Sequence, residues 1–154
     1  MPTDRSPETT AVVSEVRISA RPETVFGFFT DPSLMVRWMG DEATLNPRPG
    51  GAHRIRMAAG HVARGEYVEV EPPNRVVLTW GWEHEDTLVP PGSSTVEVEL
   101  IAEGDETLVR LTHRDLPAES RGPHGAGWQH YLARLEIAAV GDDPGPDRGP
   151  AGTD

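Results

Sequence analysis

His113 ends the stretch TLVRLTH, in which Val109, Leu111 and His113 fall on one side of an alternating run and Leu108, Arg110 and Thr112 on the other. An imidazole on an apolar face is a candidate general acid or base, because it titrates near neutral pH. The competing reading is a histidine at the edge of a core, hydrogen-bonded to backbone or to Asp115, since a buried polar group needs a partner either way. Glu66 and Tyr67 are the carboxylate and phenol that would share acid–base work with it. A second group sits in RVVLTWGWEHED. On a strand, Trp80 and Trp82 point to the same face as Val76 and Leu78. Aromatic walls with few polar groups are typical of small-molecule sites, and also of plain cores. His84, amid Glu83, Glu85 and Asp86, has the donors of a weak cation site. A charged strand end is more often a solvated mouth, and no metal site is expected there.

Other chemistry is excluded by residue type. The chain has no cysteine and no lysine, so all fourteen basic residues are arginine. That removes disulfides, thiolate ligands, Schiff bases and the phosphate-binding lysine of a P-loop. There is no G-x-S-x-G, H-E-x-x-H or G-x-G-x-x-G sequence. Gly122, Gly125 and Gly127 read G-x-x-G-x-G without a following Ser or Thr, and a loop leading into a helix is the expectation. No cofactor is expected. The net charge of -11 disfavours nucleic acid and anionic membrane surfaces as partners. MPTDRSPETT lacks an apolar stretch of signal-peptide type, and no run approaches the ~18 apolar residues of a membrane span. The expectation is a soluble cytoplasmic protein.

The elements that must position these groups are legible in the spacing. Among 154 residues, 36% are hydrophobic, with 16 Gly and 15 Pro, which suits one turn-rich domain. Residues 1–10 and the Gly/Pro-rich, acidic 141–154 are expected to be disordered, leaving a domain at 11–140. VVSEVRISA (12–20) reads as a strand. In RPETVFGFFTDP, Pro22 and Glu23 suit a helix start, and Val25, Phe28 and Phe29 form an i, i+3, i+4 stripe. Asp31 and Pro32 then begin a second short helix carrying Leu34 and Trp38. From residue 41 the period becomes two, giving strands near 42–46, 52–58, 61–71, 75–83, 94–102 and 107–113. Arg54, Arg56, Arg64 and Arg110 mostly fall on the wet face. Glu66 is less determined, because Gly65 is expected to mark a bulge. The connections are too short for helical crossovers, so the strands form an antiparallel meander. GWQHYLARLEIAAV returns to helical spacing, with Trp128, Leu132, Leu135 and Ala139 on one face.

This order has a geometric consequence. Seven strands at about 4.8 Å make a sheet roughly 30 Å wide, whereas one helix is about 10–12 Å across. The sheet must curl around the helix, and a cavity between them is expected.

The pieces ISARPETVFGFFTDPSLMVRWM, the Gly50–Gly51 turn, GEYVEVEPPNRVVLTWGW, LVRLTHRDLP and GWQHYLARL, in that order over residues 12–140, resemble the SRPBCC or START-like superfamily, the Bet v allergen type. Within it the chain is similar to homologues of the activator of the 90-kDa heat-shock chaperone's ATPase. The resemblance implies an α+β helix-grip fold: a curved seven-stranded antiparallel sheet around a long C-terminal helix, with two short helices after the first strand. It also implies a cavity for hydrophobic small molecules. Some members of the superfamily are cyclases, dehydratases or hydrolases.

The leading expectation is therefore a binding protein for a small hydrophobic or aromatic molecule. Its site residues would be Trp38, Ile55, Met57, Tyr67, Leu78, Trp80, Trp82, Val98, Leu111, His113, Trp128 and Leu132. The alternatives are an enzyme using His113 with Glu66 or Tyr67, and a co-chaperone-like interaction module. Edge strands of an open sheet can pair with a second copy, so a homodimer is also open.

Overall fold

A computed structural model describes residues 11–57 and 60–149. The disorder expected at residues 1–10 and at the end of the tail lies outside the described residues, as does part of the turn after residue 57. The chain runs β1 (Val12–Ile18), α1 (Pro22–Thr30), α2 (Pro32–Met35), β2 (Glu42–Leu45), β3 (Ala52–Arg56), β4 (Val62–Glu71), β5 (Arg75–Trp80), β6 (Ser94–Glu103), β7 (Glu106–Arg114) and α3 (Ala118–Ala138). The seven strands form one sheet in the order β1-β7-β6-β5-β4-β3-β2, with every neighbouring pair antiparallel. This is the helix-grip arrangement that the spacing and the resemblance imply.

The clean alternation of β6 and β7 shows how sequence sets the two faces. Val96 pairs with His113, Val98 with Leu111 and Leu100 with Val109, and all six are buried. Between them Glu99 pairs with Arg110, and Arg110 also binds Glu15 of β1, 2.6 Å away, on the wet face. A one-residue slip would put the apolar set in water, so the register is strongly specified. Trp128, Tyr131, Leu132, Leu135 and Ala138 of α3 pack onto the inner face.

The C-terminal end of α1 is held by side chains from the residues after α2 and from β4. The last carbonyls of a helix have no partner within it. Trp38 Nε1 donates to the Phe28 carbonyl at 2.9 Å, and the Tyr67 hydroxyl donates to the Phe29 carbonyl at 2.9 Å. Tyr67→Phe keeps the ring but leaves a buried carbonyl unpaired, and is expected to cost about 1–3 kcal/mol. Urea denaturation would show this as a lower midpoint at unchanged slope; an unchanged midpoint would refute the capping role.

Three expectations need correction. α2 is only four residues long, so Trp38 lies in the turn beyond it rather than on a helix. β5 stops at Trp80, and Trp82 joins the sheet only through a bridge to Ala63. The cause is the 82–90 loop, which folds back so that Trp82 N–H bonds the Val89 carbonyl at 2.8 Å. A Cβ on Gly81 would come within 2.1 Å of the Pro90 carbonyl oxygen. α3 begins at Ala118, so Gly122, Gly125 and Gly127 lie inside the helix rather than in a loop before it. Residues 141–149 lie beside α3: His130 bonds Asp147 at 3.0 Å, and Arg134 reaches the carbonyls of Trp38, Pro144 and Pro146.

Candidate functional site

The inner face gathers three histidines with three tryptophans, and their hydrogen bonds determine their protonation. An indole N–H can only donate and a carbonyl can only accept. Trp128 Nε1 donates to His113 Nδ1 at 3.0 Å, so the His113 proton is on Nε2. That Nε2 donates to Ser94 Oγ at 2.8 Å, and the Ser94 hydroxyl donates to the Trp80 carbonyl at 2.9 Å. The chain Trp128, His113, Ser94, Trp80 is thus fully directed and joins α3, β7, β6 and β5. His124 is arranged likewise: Trp82 Nε1 donates to its Nε2 at 3.0 Å, and its Nδ1 donates to the Ser120 carbonyl at 2.8 Å. Burial lowers the pKa of both rings, and for His113 the neighbouring His124 adds to the effect, bringing it to about 3. Both are neutral at pH 7.

This arrangement removes the acid–base role sketched for His113. The residue is wholly buried and both ring nitrogens are committed. Glu66 is exposed on the outer side, and the Tyr67 hydroxyl is held by Phe29. Asp115 is not its partner. His113 is a structural polar link between sheet and helix. Ser94→Ala would strand the His113 Nε2–H and the Trp80 carbonyl, and is expected to cost about 1–3 kcal/mol. Ser94→Thr, which keeps a hydroxyl, would lose less if the hydrogen bond is the cause, as thermal unfolding of the two variants would show.

His53 is built differently. It reaches the site from β3, directly opposite Gly65 of β4. With no side chain at Gly65, the imidazole lies across the neighbouring strand and its Nε2 donates to the Thr79 carbonyl of β5 at 2.7 Å. The ring stacks on Trp80, centroids 5.6 Å apart, and meets Tyr67 edge-on at 6.0 Å. Burial holds its pKa below the ordinary histidine value.

Between these groups lies a cavity of about 20 Å³. Ile55, Tyr67, Leu78, Trp80, Val98, Leu111 and Trp128 line it. Trp38, Met57, His113 and Leu132 are buried but do not line it, and neither does half-buried Trp82. Phe29, Met35, Met39, Leu45, His53 and Val96 also line it and are not among the site residues expected from the sequence. The signal for two of them was present, since His53 alternates with Ile55 and Met57, and Val96 with Val98. The volume is a correction in itself. A ligand pocket usually measures about 300–1,000 Å³, whereas this space is about the size of one water. Trp128 fills the rest, its ring 5.1 Å from that of Trp80.

Residues 19–139 match the model of the family described as activator of Hsp90 ATPase homolog 1-like protein. The chain belongs to that family. Among solved structures, an AHSA1-like protein from Rhizobium etli is 45% identical, over 90% of this chain and 86% of that one, with a TM-score of 0.71. An HSP90 activator from Plasmodium falciparum is 25% identical, over 85% of this chain and 96% of that one, TM-score 0.68. DynU16, from the dynemicin biosynthetic locus, is 22% identical over 90% of this chain, TM-score 0.77; the chain spans 50% of DynU16, and the likeness shows the shared fold. No curated protein matches the chain. In this family member no helix among the described residues is long and apolar enough to cross a membrane. No group of three or more His, Asp or Glu side chains among them is placed to hold a metal ion. Glu83 instead forms ion pairs with Arg54 and Arg64, while His84 is exposed.

Proposed function

We propose that this chain binds a small hydrophobic or aromatic molecule between the sheet and α3, without catalysing its conversion. The observation that carries this is the lining of the interior: apolar and aromatic side chains from every layer of the fold converge on one space, with His53 the one titratable base in it. An interior with few polar groups is what a small apolar ligand needs. Admission requires a wall to move. Met35, Met39 and Leu45 form the side contributed by the four-residue α2, the turn after it, and the four-residue β2. β2 is an edge strand. Methionine side chains are the most adaptable apolar ones, so this wall yields at least cost.

Native mass spectrometry with a thermal-shift screen of aromatic, polyketide and lipid-like compounds tests the reading. Binding is expected to raise the melting temperature and to shift the NMR signals of the Met35 and Met39 methyl groups. A screen with no stabilising compound, or with binding that leaves these methyls unmoved, would overturn it.

The Plasmodium falciparum relative, described as an HSP90 activator, favours a second reading, a co-chaperone-like module. It expects stimulation of the cognate chaperone's ATPase, and no change in that rate would count against it.

A further inference from the structure

Two nitrogen atoms depart from the pattern of matched indoles and imidazoles. Trp38, Trp82 and Trp128 each donate their indole N–H to a protein acceptor. His113 and His124 each use both ring nitrogens. Trp80 Nε1 and His53 Nδ1 are buried and have no hydrogen-bond partner among the described residues. Their residues are 3% and 1% exposed, their rings stack on each other, and both line the interior cavity. The two mismatches are complementary. His53 Nε2 carries the proton that bonds Thr79, so Nδ1 is an acceptor, while Trp80 Nε1–H is a donor. Buried polar groups without partners are rare in folded proteins, and these two, one donor and one acceptor, border a space about the size of one water.

We propose that His53 Nδ1 and Trp80 Nε1 together hold the hydroxyl group of a neutral aromatic ligand, the imidazole accepting a hydrogen bond from the hydroxyl and the indole donating one to the hydroxyl oxygen. The proposal rests on the interior-ligand reading above and adds the ligand's chemical class to it. A phenol or enol has the one donor and one acceptor on a single atom that the pair requires. A hydrocarbon leaves both nitrogens unsatisfied. A carboxylate finds no cation, because no arginine among the described residues lines the cavity. The acceptor is preorganised: the Thr79 bond fixes the tautomer, and stacking on Trp80 fixes the plane of the ring. Sites that hydrogen-bond a ligand hydroxyl discriminate strongly against the analogue lacking it, because the buried partners are then left bare.

The test compares phenol with toluene, which differ by a hydroxyl in place of a methyl, by NMR titration of the full chain. The expected result is that phenol binds at least about tenfold more tightly and moves the Trp80 indole N–H and His53 imidazole nitrogen signals. Trp80→Phe is expected to remove that preference while toluene binding persists. Equal affinity of the wild-type chain for the two probes would overturn the hydroxyl clamp and leave the interior-ligand reading standing. So would phenol binding that leaves the Trp80 indole N–H signal unmoved. Binding of neither probe would overturn both. The wild-type comparison decides the matter even if the Trp80 variant does not fold.

Discussion

Gly65→Ala is expected to cost the fold about 3 kcal/mol or more, at the upper end of what overpacking usually costs. A Cβ at this position would stand 2.1 Å from the Thr79 carbonyl oxygen, 2.6 Å from its carbon and 2.8 Å from His53 Nε2. Two of these atoms are backbone of the adjacent strand β5 and cannot swing aside. To relieve the clash, β4 and β5 must separate or His53 must withdraw. Withdrawal would strand the Thr79 carbonyl inside the protein. Glu66 N–H already bonds Thr79 Oγ1 at 2.9 Å rather than a backbone carbonyl, so the strands here have no spare ladder bond to compensate. With a total stability of about 5–15 kcal/mol typical of domains, such a loss is large. Urea denaturation is the measurement, with Gly122→Ala as the contrast. Gly122 is exposed within α3, and nothing lies within 4 Å of its Cβ position. That exchange is expected to stabilise by about 0.5–1 kcal/mol through helix propensity and unfolded-state entropy. A Gly65→Ala midpoint equal to wild type would show that His53 does not cross β4 as described.

Acidification is expected to unfold the protein well before its carboxylates are all protonated. In the unfolded chain each histidine takes up a proton near pH 6.5. In the folded chain His113 does so only at about 3, because burial and the neighbouring His124 oppose its charge; burial holds His53 and His124 down as well. Between these values the unfolded state binds more protons, so stability is full above about pH 6.5 and falls as pH falls. Neutral, buried His113 contributes a slope approaching about 1.4 kcal/mol per pH unit below its unfolded pKa, and His53 and His124 act in the same direction. By pH 3 the His113 contribution alone is on the order of 5 kcal/mol. Denaturation midpoints between pH 7 and 5 isolate the effect, since exposed carboxylates stay largely ionised there. Replacing His113 with Gln should flatten the slope in that window by about one proton's worth, whatever it does to absolute stability. A wild-type stability independent of pH between 7 and 5 would contradict neutral burial of these rings.

The polar groups of the interior show where reading by periodicity stops. Alternation places His113 on the inner face with Val109 and Leu111, and the structure puts it there. Periodicity is silent on what the ring touches. Its partners Ser94 and Trp128 come from β6 and α3, and only the assembled fold brings them to one point. The same holds for the start of α3. Gly122, Pro123 and Gly125 all disfavour helix, yet the helix runs through them. Local propensity is overridden by contact: His124 is tied to Trp82, and the Gly125 Cβ position lies 3.0 Å from Val12 of β1.

The sequence by itself determined the order of elements, the antiparallel meander, the inner faces of β6 and β7 and the apolar stripe on the later part of α3. Those follow from side-chain period and turn chemistry, which are local. It also determined the absence of cysteine and lysine chemistry. The tertiary structure alone decided that Trp128 fills the space before Trp80, that His113 is a satisfied structural link, and that Trp80 and His53 are left with complementary unpaired nitrogens. Filling and hydrogen-bond pairing depend on rotamers and distances across elements far apart in the chain, and no local period encodes those.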